Sequence, residues 1–93
     1  MKAIWNGEII AESDATIVVE SNHYFPRSSV HDEFIAPSTK QTTCSWKGDA
    51  TYYSLQVDGK TNEDAGWFYA NPLPAAENIT NYVAFWRGVE VVS

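Results

Sequence analysis

Between Thr42 and Tyr53 the chain gathers its single cysteine, Cys44, with Trp46, Lys47, Gly48, Tyr52 and Tyr53. A thiolate becomes a nucleophile when a base or a cation stands beside it, and His23 as base or Lys47 as cation would activate Cys44. The plainer reading of Cys44 is a small residue buried on a strand. His23 and His31 are the other soft donors. A structural zinc usually takes four ligands at short paired spacings, and no C-x-x-C is present, so no metal site is predicted. His23 neighbours a strand end and suits a site, whereas His31 lies among charges and reads as a solvated imidazole.

Glu20 closes an apolar strand, where its carboxylate would need Lys47 or Arg27 as a partner. It reads either as a general base or ligand anchor, or as an exposed strand end. Four tryptophans and five tyrosines are many rings for this length. Most must fill the interior, but a subset can stack on a flat ligand. Trp46 and Tyr53 flank the Lys47-Gly48 turn and are the first candidates. No phosphate-cradling G-x-x-x-x-G-K-[ST] or G-x-G-x-x-G occurs.

These residues must be positioned by a small frame. Ninety-three residues, 44% hydrophobic and 14% aromatic, suffice for one domain, residues 1–93, with a single core. A net charge of -6 leaves no basic face for nucleic acid or an anionic membrane. No apolar run reaches the roughly 18 residues of a membrane helix, and none resembles a signal peptide, so a cytoplasmic protein is expected.

Asn6-Gly7 between Ala3-Ile4-Trp5 and Glu8-Ile9-Ile10-Ala11 predicts an opening β-hairpin. Thr16 to Glu20 is a β-branched strand, continued through Tyr24 and Phe25 and broken at Pro26. Ser28 or Ser29 would cap a helical turn over Val30–Ile35 that Pro37 ends. Lys40–Trp46 and Ala50–Val57, joined at Lys47-Gly48-Asp49, form the central hairpin. Asp58-Gly59 marks another, followed by a polar, turn-rich stretch over Lys60–Ala65. Gly66–Ala70, Tyr82–Trp86 and Val89–Val92 are strands, and Pro74 opens a helical turn. The fold class is mainly β, a compact antiparallel hairpin and meander domain with one or two short helical turns.

At Glu20–Pro26, Cys44–Gly48, Tyr52-Tyr53 and Tyr82–Trp86 the chain resembles the bacterial domain of unknown function 427 family, along nearly its whole length. That resemblance implies a β-tent-like fold with a site in a cleft between two sheets, where aromatic residues hold a small polar or cyclic ligand. The family's nucleotidyltransferase-like label would imply NTP and Mg²⁺.

The leading expectation is a small-molecule binding domain. Its pocket is lined by Glu20, His23, Tyr24, Cys44, Trp46, Lys47 and Tyr53, with Trp46 and Tyr53 stacking and Lys47 meeting an anionic group. The alternatives are a small enzyme using Cys44 and His23, nucleotidyl transfer, and an interaction module presenting Trp67-Phe68-Tyr69 as a free edge. No cofactor is predicted, and the expected state is a monomer or weak homo-oligomer.

Overall fold

Nine strands carry the chain in the computed structural model, which describes residues 1–93. They are β1 (Lys2–Trp5), β2 (Glu8–Glu12), β3 (Ile17–Val19), β4 (Asn22–Tyr24), β5 (Ile35–Cys44), β6 (Gly48–Val57), β7 (Lys60–Phe68), β8 (Val83–Phe85) and β9 (Glu90–Val92). They form antiparallel sheets ordered β2-β1-β9 and β5-β6-β7-β8, and a β3–β4 ribbon.

The opening hairpin forms as predicted, with Asn6 and Gly7 at φ 50° and 80°. Its register slips at Ile10, so Ile10 and Ala11, although neighbours, are both fully buried. The predicted strand from Thr16 through Phe25 does not run straight. Glu20 and Ser21 take φ 51° and 67°, the chain reverses there, and Val19 pairs with Asn22. Three ladder pairs between β3 and β4 offset the cost of two left-handed residues without glycine, about 1–2 kcal/mol each. Phe25 then exchanges two backbone hydrogen bonds of 2.8 Å with Val83, which joins the ribbon to the β8 edge of the larger sheet.

The helical turn expected over Val30–Ile35 forms only at Asp32–Phe34, as a 3-10 turn without a serine cap, and a second 3-10 turn spans Arg27–Ser29. Val30, between them, is extended because it pairs with Ala11, and the next amide, of His31, donates to the Ile10 carbonyl at 2.8 Å. The Ser29 hydroxyl donates to the Pro26 carbonyl instead of capping. Pro37 sits inside β5, an edge strand where a missing donor is tolerated.

The central turn also lies two residues earlier than predicted. β5 ends at Cys44, which pairs with Gly48, and Ser45-Trp46-Lys47 form the bend. The Leu73 amide donates to the Lys47 carbonyl at 2.8 Å, and a Cβ on Gly48 would stand 3.4 Å from the Leu73 nitrogen. The connector thus crosses where the chain has no side chain. The Asp58-Gly59 hairpin forms as expected, but Lys60–Ala65 belongs to β7 and is no loop. Its polarity reflects an exposed face and a bulge, in which Glu63, Asp64 and Ala65 oppose Ser54 with Asp64 at φ 56°. β7 is paired on both sides, by β6 and β8, so Trp67-Phe68-Tyr69 offers no free edge. The helical turn opened by Pro74 spans Pro74–Ile79 as a 3-10 segment. No helix is long and apolar enough to cross a membrane.

Where one core was expected, there are two apolar clusters. One contains Ile10, Phe25, Leu55, Val83 and Phe85, the other Tyr24, Tyr52, Tyr69, Ile79 and Ala84. The four-stranded sheet separates them, so successive residues of β8 are buried on alternate faces.

The Glu20-Ser21 turn generates a test. Ser21→Gly should stabilise the protein by about 1 kcal/mol by removing the left-handed penalty, raising Tm by roughly 4–8 °C for a domain of this size. An unchanged or lowered midpoint in thermal denaturation would show that the turn is not held in this conformation.

Candidate functional site

Strand alternation on β6 sends Ala50 and Tyr52 to one face and Tyr53 and Leu55 to the other. Tyr52 stands opposite Trp67, and Trp67 opposite Ala84, so Tyr69 and Trp86, each two residues further on, share that face. Together with Cys44 at the end of β5 and Lys47 in the bend, these rings line a cleft of about 290 Å³. All six residues come from the larger sheet and its turns, so the cleft lies on one sheet rather than between two.

The rings are held in fixed orientations. Trp67 packs edge-on against Trp86 at 5.9 Å and 82°, and against Tyr24 at 6.2 Å and 89°. The Trp67 indole donates to the Tyr24 hydroxyl at 3.2 Å, and the Trp86 indole donates to the Asp64 carbonyl. Tyr52 shares a 3.0 Å hydrogen bond with Thr42. Lys40 and Arg87 cover the Tyr52 and Trp86 rings at 5.7 and 4.7 Å. With their polar tips engaged, Tyr52, Trp67 and Trp86 present mainly ring surface to a ligand.

Lys47 is the one buried charged residue, its side chain 8% exposed. Its ammonium is paired with Glu20, whose side chain is 56% exposed, and lies 5.2 Å from the Trp46 ring and 5.8 Å from the Tyr69 ring. Burial alone would lower the Lys47 pKa, but the Glu20 carboxylate and the fields of Tyr24, Tyr69 and Glu20 outweigh it and raise it. The Tyr69 hydroxyl is pushed up to about 12, chiefly by burial, against the opposing pull of Lys47 and with support from Tyr24, Cys44 and Tyr52. At neutral pH the cleft therefore offers an ammonium and a neutral phenol, both donors, beside a half-buried thiol.

The predicted residues separate into two groups. Cys44 and Lys47 line the cleft, Glu20 and Trp46 engage Lys47 from its rim, and Tyr24 supports Trp67 from below. His23 does not line it; its Nδ1 is 3.0 Å from the Thr16 hydroxyl. Tyr53 points to the opposite face, stacked on Phe68 at 4.7 Å and 20° beneath Arg27. Tyr52, Trp67, Tyr69 and Trp86 are not among the residues expected to line the pocket, although the period-two spacing of Trp67 with Tyr69 and of Ala84 with Trp86 carries the signal. No three His, Cys, Asp or Glu side chains stand close enough together to hold a metal ion.

The Tyr69 shift has a defined pH window. A folded-state pKa raised above the usual value near 10 gives stability that is whole below pH 10 and lost as pH rises toward about 12. The raised Lys47 pKa acts in the same direction in that alkaline range. Phenolate absorbance should show a late-titrating tyrosine that Tyr69→Phe deletes, and the variant should lose less stability over this interval. Titration of every tyrosine near pH 10 would contradict the buried placement of Tyr69.

No curated protein matches the chain. A family model described as domain of unknown function (DUF427) matches residues 1–92, all but the last residue. The chain therefore belongs to the DUF427 family of domains of unknown function.

Proposed function

We propose that the aromatic cleft binds a small molecule that combines a flat ring with a hydrogen-bond acceptor. The ring stacks among Tyr52, Trp67 and Trp86, and the acceptor meets Lys47 and the Tyr69 hydroxyl. One observation carries this reading: a buried ammonium opens onto the cleft, and its carboxylate partner is a mostly exposed side chain. A buried charge needs a partner, whereas an exposed carboxylate loses little by returning to water. An incoming carboxylate or carbonyl can thus replace Glu20 on Lys47 at small cost. About 290 Å³ lies at the small end of ligand sites and suits a molecule of one or two rings.

Benzoate and benzamide are simple probes, followed by quenching of the cleft tryptophans. Lys47→Met should weaken benzoate by tenfold or more, a change of about 1.4 kcal/mol. Glu20→Gln should tighten it several-fold while lowering stability, because it leaves the buried Lys47 ammonium without its carboxylate, a loss that saturating benzoate restores. Equal binding by wild type and both variants would remove Lys47 from the site.

Thiol chemistry is the second reading, favoured by Cys44 lining the same cleft as Lys47. It expects iodoacetamide to modify Cys44 at neutral pH faster than free cysteine, with protection by a cleft ligand. Modification at or below the free-thiol rate would leave binding alone. Nucleotidyl transfer has less support, because no carboxylate lines the cleft and Glu20 beside it is engaged with Lys47.

A further inference from the structure

A second depression, about 430 Å³, lies on the same sheet and is lined by β5, β6 and β7 residues, among them Ser38, Lys40, Ser54, Gln56, Thr61 and Glu63. Tyr52, Ser54 and Gln56 alternate along β6, so the aromatic cleft and this polar depression open on one face. Ala36 opposite Ser54 and Thr61 opposite Gln56 extend that face sideways.

The two depressions meet at two shared contacts. Lys40 lines the polar one, and its ammonium lies over the ring of Tyr52, which lines the aromatic one. Asp64 also lines the polar one, and its carbonyl accepts the indole N–H of Trp86. Bulges flank β6 at this level: Ser38, Thr39 and Lys40 oppose Tyr52, and Glu63, Asp64 and Ala65 oppose Ser54. Bulges re-aim side chains and often border binding sites. Here the Ser38 hydroxyl donates to the Asp64 carboxylate and ties the two bulges together across β6.

We infer that the aromatic cleft is one end of a longer groove, whose polar end takes a polyhydroxylated, sugar-like group carried by the ring. The inference rests on the small-molecule reading of the cleft and names the class of its ligand. Exposed Gln56, Thr61 and Glu63 place an amide, a hydroxyl and a carboxylate along the polar end, with the Lys40 ammonium at the junction. A sugar hydroxyl both donates and accepts, so it matches this mixture better than an anion or an apolar tail does. The aromatic end supplies ring contact, and the polar end has only one hydrophobic lining residue to offer an apolar tail.

The test compares phenyl β-glucoside, phenyl β-galactoside and uridine with their separate halves: phenol, uracil, and the methyl glycosides of glucose, galactose and ribose. Binding is followed by amide chemical shifts in the full chain. At least one conjugate should bind about tenfold or more tighter than either half and shift amides in both depressions. Gln56→Ala combined with Thr61→Ala, both on the exposed face, should erase that gain and leave the affinity for the bare ring unchanged. Conjugates that bind no tighter than their rings, with shifts confined to the aromatic end, would overturn the groove while leaving the cleft reading intact. Binding of neither rings nor conjugates would overturn both.

Discussion

The backbone pair between Phe25 and Val83 is the constraint on which the rest of the architecture depends. Two 2.8 Å hydrogen bonds attach the β3–β4 ribbon to β8, and in doing so place successive residues Tyr24 and Phe25 on opposite faces of one sheet, both without solvent exposure. Phe25 packs edge-on against Phe85 at 5.8 Å in one cluster. Tyr24 receives the Trp67 indole in the other. The same pairing brings the Glu20 turn to the rim of the cleft, where its carboxylate meets Lys47. The fold and the site are thus joined through one strand crossing.

Lys47 shows how a charge can be kept inside a small β domain. Its ammonium is stripped of most of its water, a loss that an isolated charge cannot sustain. The compensation comes from a carboxylate on one ribbon and two ring faces, one from its own bend and one from the end of β7. These partners are unequal: Tyr69 is buried in the apolar cluster, whereas Trp46 is partly exposed and Glu20 reaches in from solvent. The arrangement gives a fixed ring at Tyr69 and a replaceable anion at Glu20.

The sequence carried the hairpins at Asn6-Gly7 and Asp58-Gly59 plainly, because a two-residue turn with positive φ at both positions has a narrow composition. It did not carry the turn at Glu20-Ser21, where the same backbone is built from residues that rarely adopt it and tertiary pairing overrides the local preference. The β7 strand was hidden by its polar bulge for a related reason: Asp64 at positive φ looks like a loop residue and is one locally, yet the ladder resumes beyond it. Cys44, Lys47 and Glu20 were legible as one neighbourhood. The Tyr52, Trp67 and Trp86 wall was not, although the Asp58-Gly59 turn contains its parity. Two extra residues in the bulge preserve that parity, so Tyr52 and Trp67 share a face whether or not the bulge is foreseen. Flanking the Lys47-Gly48 turn in sequence points to Tyr53, but strand alternation decides which of two adjacent rings reaches the cleft, and it selects Tyr52.

Pro37 and the three-residue bulge after it have a consequence beyond the groove. β5 is the outer strand of the larger sheet and, at ten residues, one of its two longest. An uninterrupted edge of that length would present a continuous row of unpaired amides and carbonyls to a second chain. Pro37 removes a donor from the row, and Ser38, Thr39 and Lys40 break its straightness before it can template another strand. The irregularity that shapes the polar face thus also makes the β5 edge a poor template for strand addition.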